Sequence, residues 1–317
     1  MLSKGKYKEE ILEVLDSTAL EHATTFDDVY CFDSIVDEGQ TRIAIKVSIT
    51  IDDVKSQTNQ ELRRICPILR CIPLIIGERT RKGPLQDGVV HTRANVTAMN
   101  LETLRQMLEG RHLPSVLVKK GGVYVTISAD RLKSAREAQN LSRGDVATEV
   151  GVSRRAVYEY ERGTMNPTID VALRLEELLG TQLIEPISLL QGQAEEPEAS
   201  DAEPRKLSRF ARKTRAVLLR LGFNSTITQD APFDMLASLR HRVFLTCLKR
   251  PLQRLDESRL VFLAKLADVL DGQPAIIASE KPSIESIDGI PVVYLEELVN
   301  IEDPSDLLLL IRHRRGA

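Results

Sequence analysis

The chain has 317 residues, of which 42% are hydrophobic and 4% aromatic, with no Trp and with 43 basic against 46 acidic side chains, a formal charge of −3. That apolar content sustains real cores and excludes wholesale disorder. The charge balance excludes a histone-like polycation, and the scarcity of rings argues against carbohydrate clefts and base-stacking RNA surfaces. The length fits two to three domains at about 100–150 residues each.

The longest apolar runs, such as residues 307–311, fall far below the ~20 residues that span a bilayer. The first residues are charged rather than the apolar core of a secretory leader. A cytoplasmic protein without a membrane segment is expected. Cys31, Cys66, Cys71 and Cys247 sit in apolar contexts without the paired spacing of a zinc site. They read as buried, reduced thiols, and no metal or cofactor is expected.

In chain order, residues 7–20 read as a helix, followed by short strands at 24–29, 31–36 and 41–51. In the last of these Ile43, Ile45, Val47, Ile49 and Ile51 alternate with polar or small residues, the period of a half-buried strand. Residues 37–40 form the hairpin turn before it. A helix at 58–64, a strand within 67–77 and a helix at 100–109 complete this block, residues 1–128. Residues 129–190 are dense in helical signals. Residues 191–204 hold five acids, no base and two prolines, the composition of a solvated linker. Residues 205–317 then repeat the order of the first block: helix 207–221, strands 223–228, 233–238 and 242–248, helix 257–270, strand 274–278 and helix 295–299. Matching segments hold the register: Phe32-Asp33-Ser34 with Phe233-Asp234-Met235, and Asp87-Gly88-Val89 with Asp288-Gly289-Ile290. The reading is a multidomain α+β chain, an all-α central bundle flanked by two similar α/β domains, the second a candidate duplication of the first.

The central block carries the most specific signal. Leu132, Ala135 and Ala138 share one face of a helix over 130–139, and Asn140-Leu141 makes a corner. Ser142 with Asp145 is a capping-box opening for a second helix. Gly151 ends that helix, where the chain must adopt φ > 0. Ser153 caps a third helix, 154–162, and Thr168 opens a fourth that ends at Gly180. The run from Leu141 to Thr168, with Ala147, Gly151-Val152-Ser153, Val157, Tyr160, Glu161, Arg162-Gly163 and Pro167, resembles the phage-repressor type of helix–turn–helix. The resemblance implies double-stranded DNA as partner, with the third helix in the major groove. Val157 and Tyr160 face the core, leaving Ser153, Arg154, Arg155, Tyr158 and Glu159 outward. Arg154 and Arg155 can each grip guanine in bidentate fashion or hold a phosphate. Arg143, at the start of the second helix, suits a phosphate. Thr164 and Asn166 lie in the loop after the third helix, where the family also touches the backbone. Glu161 reads as structural. The whole layout, including Cys71-Ile-Pro-Leu-Ile-Ile-Gly-Glu-Arg-Thr in the first block, resembles an archaeal group of HTH-type transcriptional regulators. That implies a transcription regulator and nothing firm about an effector ligand.

The helix–strand–strand–strand–helix–strand order resembles a restriction-endonuclease core. Such nucleases pair an Asp with a later (Asp/Glu)-x-Lys to hold Mg²⁺ and activate water. Asp33 and Lys46 stand at the outer positions, but Ala44 fills the middle one. In the second block Asp234 remains, with Phe244 and Thr246 at the other two. Both blocks are therefore expected to be degenerate, with no catalytic residue and no metal; Asp53-x-Lys55 lies past the strand end. Residues 205–220 carry seven bases and no acid. Arg209, Arg212, Lys213 and Arg220 share one helical stripe, which is either a solvated face or a set of phosphate contacts, and the tail Arg312-His313-Arg314-Arg315 extends that option. The expectation is a sequence-specific DNA-binding regulator acting as a homodimer. The rivals are a Mg²⁺-dependent nuclease targeted by the helix–turn–helix and a protein-interaction module that does not bind DNA.

Overall fold

The computed structural model describes residues 3–25, 27–39, 41–111, 113–187, 208–240, 242–249, 256–279 and 284–315. In chain order these form α1 (Lys4–Ser17), β1 (Glu21–Thr24), β2 (Ser34–Asp37), β3 (Arg42–Val47), a 3₁₀ turn (Ile51–Asp53), α2 (Ser56–Leu69), β4 (Cys71–Ile76), β5 (Arg79–Thr80), β6 (Gly83–Pro84), β7 (Val89–Arg93), β8 (Val96–Met99), α3 (Leu101–Leu108), β9 (Val116–Lys119) and β10 (Gly122–Ile127). Then come α4 (Ala129–Ala138), α5 (Arg143–Val150), α6 (Arg154–Glu161), α7 (Ile169–Leu179), β11 (Ile184–Glu185), α8 (Arg209–Arg220), β12 (Asn224–Ile227), β13 (Met235–Leu239), β14 (Arg242–Lys249), α9 (Glu257–Val269), β15 (Gln273–Ala278), β16 (Ser286–Ile287), β17 (Ile290–Tyr294), α10 (Leu295–Asn300) and α11 (Pro304–Arg315). The acidic stretch 191–204, with Arg205 and Lys206, lies outside the described residues. Among those described, no helix is long and apolar enough to cross a membrane. All four cysteines are buried and free.

This mixed α/β chain divides into two compact units that cut across the sequence blocks. One holds Met1–Val47, Val54–Leu74 and Gln193–Ala317; the other holds Ser48–Asp53 with Ile75–Gly192. In the first unit, β1-β2-β3-β4 and β12-β13-β14-β15-β17-β16 are the two strand orders. β1, β2 and β3 pair antiparallel, as do β12, β13 and β14, and β15 then pairs parallel to β14. The two α/β halves repeat each other in detail. The Asp33 amide donates to Ile45 at 2.7 Å and the Asp234 amide to Thr246 at 2.9 Å. Val47 N–H donates to Asp33 Oδ2, and Leu248 N–H to Asp234 Oδ2, both at 2.7 Å. This register aligns Ala44 with Leu245 and Lys46 with Cys247, correcting by one residue the expected Phe244 and Thr246.

The halves share one apolar core. Phe32, Ile35, Leu62, Ile65 and Leu69 pack with Phe233, Leu236, Phe262, Leu263 and Leu266. α9 lies on β1 and β2, and α2 on β13. Polar contacts line the same seam: Arg64 donates to the Ile227 carbonyl at 2.6 Å, and the Gln229 amide donates to Glu61 at 3.1 Å. Burial explains why α2 runs past the expected end at 64 and through Pro67 to Leu69. Ile65, Cys66 and Leu69 are all inside, and their burial offsets the backbone hydrogen bond that a helical proline forfeits. The first strand also moves, from the expected 24–29 to Glu21–Thr24.

In the second unit the strand order is β8-β7-β9-β10-β11. The core of the helical bundle takes in the neighbouring strand: Val125 and Ile127 of β10 join Leu132, Val146, Val157, Ala172 and Leu175. β11 returns after α7 to pair with β10, Ile184 opposite Ile127. β9 is half-buried over residues 116–118 and β11 is two residues long, so neither stands out by alternation.

Candidate DNA interface

The helical bundle is set by caps and corners. Ser142 Oγ accepts from the Asp145 amide at 3.2 Å while Asp145 accepts from the Ser142 amide at 2.7 Å, a complete capping box for α5. Asn140 takes φ +53° at the first corner, and Gly151 takes φ +74° where α5 ends. That value costs a side chain with a Cβ roughly 1–2 kcal/mol, and a Cβ there would also meet Arg174 Nη1 at 3.3 Å. Ser153 Oγ then accepts from the Ala156 amide at 3.1 Å and starts α6. Thr168 occupies the N-cap position of α7, but its side chain makes no capping hydrogen bond.

Val157 and Tyr160 are buried, so the opposite face of α6 is presented outward. Ser153, Arg154, Arg155 and Tyr158 are exposed; Glu159 is half-buried. Arg155 keeps 87% of its side chain in solvent and lies 4.0 Å from Glu159. Glu159 also takes a hydrogen bond from the Thr164 hydroxyl, so it braces the turn after α6. Thr164 is exposed and Asn166 half-buried.

A buried ion network fixes α6 to its neighbours. Glu161 lies inside and accepts from Arg136 of α4 at 2.5 Å and from Arg143 of α5 at 2.6 Å. Burial pushes the Glu161 carboxyl up, but the hydrogen bonds from Arg136 and Arg143 outweigh it and hold the group below its usual value. Arg143 is therefore tethered and about one-third exposed. Its guanidinium lies over the Tyr158 ring at 5.3 Å, and Arg162 approaches the same ring at 5.5 Å. Such cation–π contacts hold two positive groups beside one outward ring. Arg162 stands at the Arg-Gly stop of α6, and the basic–aromatic spacing Arg143/Tyr158/Arg162 is the sequence signal that marks this cluster.

The α8 stripe divides. Arg209, Arg212 and Lys213 are exposed on its first turns. Arg220 donates instead to the carbonyls of Val299 and Ile301, both at 2.8 Å. The basic tail is inside α11: Arg314 is buried, donating to Val292 and pairing with Glu297, and Arg315 pairs with Asp268. Those contacts remove Arg314 from the candidate phosphate surface.

The other charged cluster surrounds Asp33, which is fully buried. Lys8 of α1 lies 2.6 Å from Asp33 Oδ1, and Lys46 lies 3.3 Å from Oδ2. Lys8 also reaches Asp28 at 2.7 Å. Burial lowers Lys8, but Asp33 and Asp28 more than reverse this and raise it; for Lys46 burial prevails and lowers it. Among the described residues, no group of three or more His, Cys, Asp or Glu is gathered to hold a metal ion.

A repressor-type helix–turn–helix joined to α/β sheets of nuclease-like order defines the class of this protein. Comparison with known families agrees: residues 4–113 match the PD-(D/E)XK superfamily domain, and residues 132–185 match a helix-turn-helix family. Three archaeal relatives each carry the name "Putative HTH-type transcriptional regulatory protein". The protein from Methanocaldococcus jannaschii is 36% identical over 88% of this chain and 87% of its own length. That from Methanocorpusculum labreanum is 32% identical over 90% of each chain. That from Halobacterium salinarum is 33% identical over 89% of this chain and 88% of its own. The chain belongs to this family of archaeal HTH-type transcriptional regulatory proteins. No solved structure matches it.

Proposed function

We propose that the protein is a sequence-specific DNA-binding transcription regulator that lays α6 in the major groove of its operator. The observation that carries this reading is the N-terminal turn of α6. Ser153, Arg154 and Arg155 stand in solvent on a helix whose opposite face is locked into the core by Val157, Tyr160 and Glu161. Arg154 and Arg155 are the base readers, and Arg143 with Arg162, spaced by Tyr158, serves the phosphates on either side. Thr164 and Asn166 follow along the same backbone. Arg209, Arg212 and Lys213 of α8 form a second, sequence-independent phosphate surface. A homodimer on a palindromic operator gives two such readings, since one helix contacts only a few base pairs.

The two α/β halves act as scaffold and not as enzymes. Ala44 and Leu245 replace the middle acid of the nuclease pattern, and the repeat of backbone hydrogen bonds 201 residues apart supports a duplication of one ancestral fold. The experiment is selection of bound duplexes from random DNA, followed by gel shifts with the selected site. The reading requires a defined site whose affinity falls with added salt. Binding without sequence preference contradicts it. Cleavage of plasmid in Mg²⁺, abolished by Asp33→Ala, favours the nuclease alternative.

A further inference from the structure

We propose that Lys8 is a resident cation, its ammonium occupying the place beside Asp33 where a catalysing PD-(D/E)XK fold holds a divalent metal. The proposal rests on the non-catalytic reading of the α/β halves and explains how that state is kept.

The residues around Asp33 do not suit a divalent ion. A metal needs several oxygen ligands from a hard, anionic set. Here the second carboxylate of the pattern is Ala44, buried and apolar. One oxygen of Asp33 faces the Lys8 ammonium at 2.6 Å, and the other takes the Val47 amide at 2.7 Å with Lys46 at 3.3 Å. Asp28 also contacts the same ammonium at 2.7 Å, and Lys4 lies at 2.8 Å from Asp28. Three lysines against two aspartates leave the cluster with a positive excess, which repels a dication.

The second half reaches the same end by another route. Asp234 holds the same backbone position as Asp33, but its Oδ1 is taken by Arg259 of α9 at 3.0 Å. In the register of the two halves, Arg259 corresponds to Thr58. The position matching Lys8 is Ala211, allowing for the two extra residues between the outer helix and the second strand, and Lys46 corresponds to Cys247. Two cations from two different helices thus neutralise equivalent carboxylates. Asp33 is fully buried, so a positive partner offsets the cost of taking its carboxylate from water; Asp234 is about one-third exposed and has a single cation, Arg259, against it. In each half the cation sits against the Asp that ties the end of the strand pair away from the hairpin turn, where Val47 N–H donates to Asp33 and Leu248 N–H to Asp234.

Mn²⁺ binding, read by the electron paramagnetic resonance signal of the free ion, tests the proposal on the full chain. The wild-type protein is expected to bind no Mn²⁺ at millimolar concentration. Lys8→Ala combined with Ala44→Glu clears the ammonium and restores the second acid. If folded by circular dichroism, it is expected to bind Mn²⁺ at least tenfold more tightly than the wild type. Stoichiometric Mn²⁺ binding by wild type that Asp33→Asn abolishes overturns the proposal, as does a folded double variant that binds none. Should that variant not fold, melting decides. Lys8→Met should lower Tm by several degrees, and by clearly less when Asp33→Asn is already present. Equal losses in the two backgrounds overturn it. Plasmid cleavage in Mg²⁺ is scored separately: a cleaving wild type defeats the non-catalytic reading, whereas Mn²⁺ binding without cleavage defeats only the resident cation.

Discussion

Arg155 and Lys8 are both cations on helices, yet they serve opposite ends. Arg155 stands almost wholly in solvent at the start of α6, with only a 4.0 Å approach to Glu159. Lys8 is 3% exposed and closed between two aspartates. A charge kept in water at the edge of a rigid helix is available to a ligand; a charge paired inside is committed to the fold. The same contrast separates α6, whose Arg154 and Arg155 stand in solvent, from the first α/β half, whose Lys8, Asp33 and Lys46 are turned inward and paired.

The comparison breaks most readily at its buried members. Glu161→Ala removes the shared partner of Arg136 and Arg143 and leaves Arg136 buried without it; the expected loss is about 3–5 kcal/mol of stability by denaturant unfolding. The pH dependence of the same group has a definite sign. A carboxyl held below its unfolded value stabilises the fold above that value and ceases to do so as pH falls through the folded value. Glu161 is such a group, and so is Asp28, held down to about 2 by Lys4 and Lys8 against the upward push of burial. The acid limb of the stability curve should therefore be shallower in Glu161→Gln than in wild type, measured as Tm from pH 6 to pH 2.

The exposed members give smaller effects, read in binding. Arg155→Ala should cost about 1–3 kcal/mol on the preferred site and relax preference at one base position; a uniform loss across sequences makes Arg155 a phosphate contact instead. Ser153→Ala removes the cap of α6 and should cost about 1 kcal/mol of stability. Arg212→Ala on α8 should leave sequence preference intact and flatten the dependence of log K on log salt by about one unit if it holds a phosphate. An unchanged slope makes α8 a solvated face.

Much of the helix–turn–helix was legible because its signals are local. Ser142 with Asp145, Gly151, and Ser153 each act within a turn of where they stand, and each is found in its expected role. The nuclease-like core was legible as an order of elements and as the pair Asp33 and Lys46, which the fold brings to 3.3 Å. What escaped depends on contacts distant in sequence. Lys8 meets Asp33 only once α1 is packed, and nothing in the spacing of lysines on that helix marks it. The continuation of α2 through Pro67 depends on a core shared with residues more than 160 positions away. β10 does alternate, Val123, Val125 and Ile127 against Tyr124 and Thr126, but the burial of Val125 and Ile127 under the helical bundle depends on residues up to Leu183 and could not be read from that pattern. Arg314 reads as further surface charge but is buried, held by the Val292 carbonyl in the middle of β17, while Arg220 stays exposed and donates to the carbonyls of Val299 and Ile301.

The most direct test of the central claim is the set of sequences that wild type and Arg154→Ala/Arg155→Ala select from random duplex DNA. If α6 reads the major groove, the wild type yields a defined motif, and the double variant loses information at specific positions within it while keeping salt-sensitive binding to DNA at large. An identical motif from both proteins, or no motif from the wild type, would contradict the account.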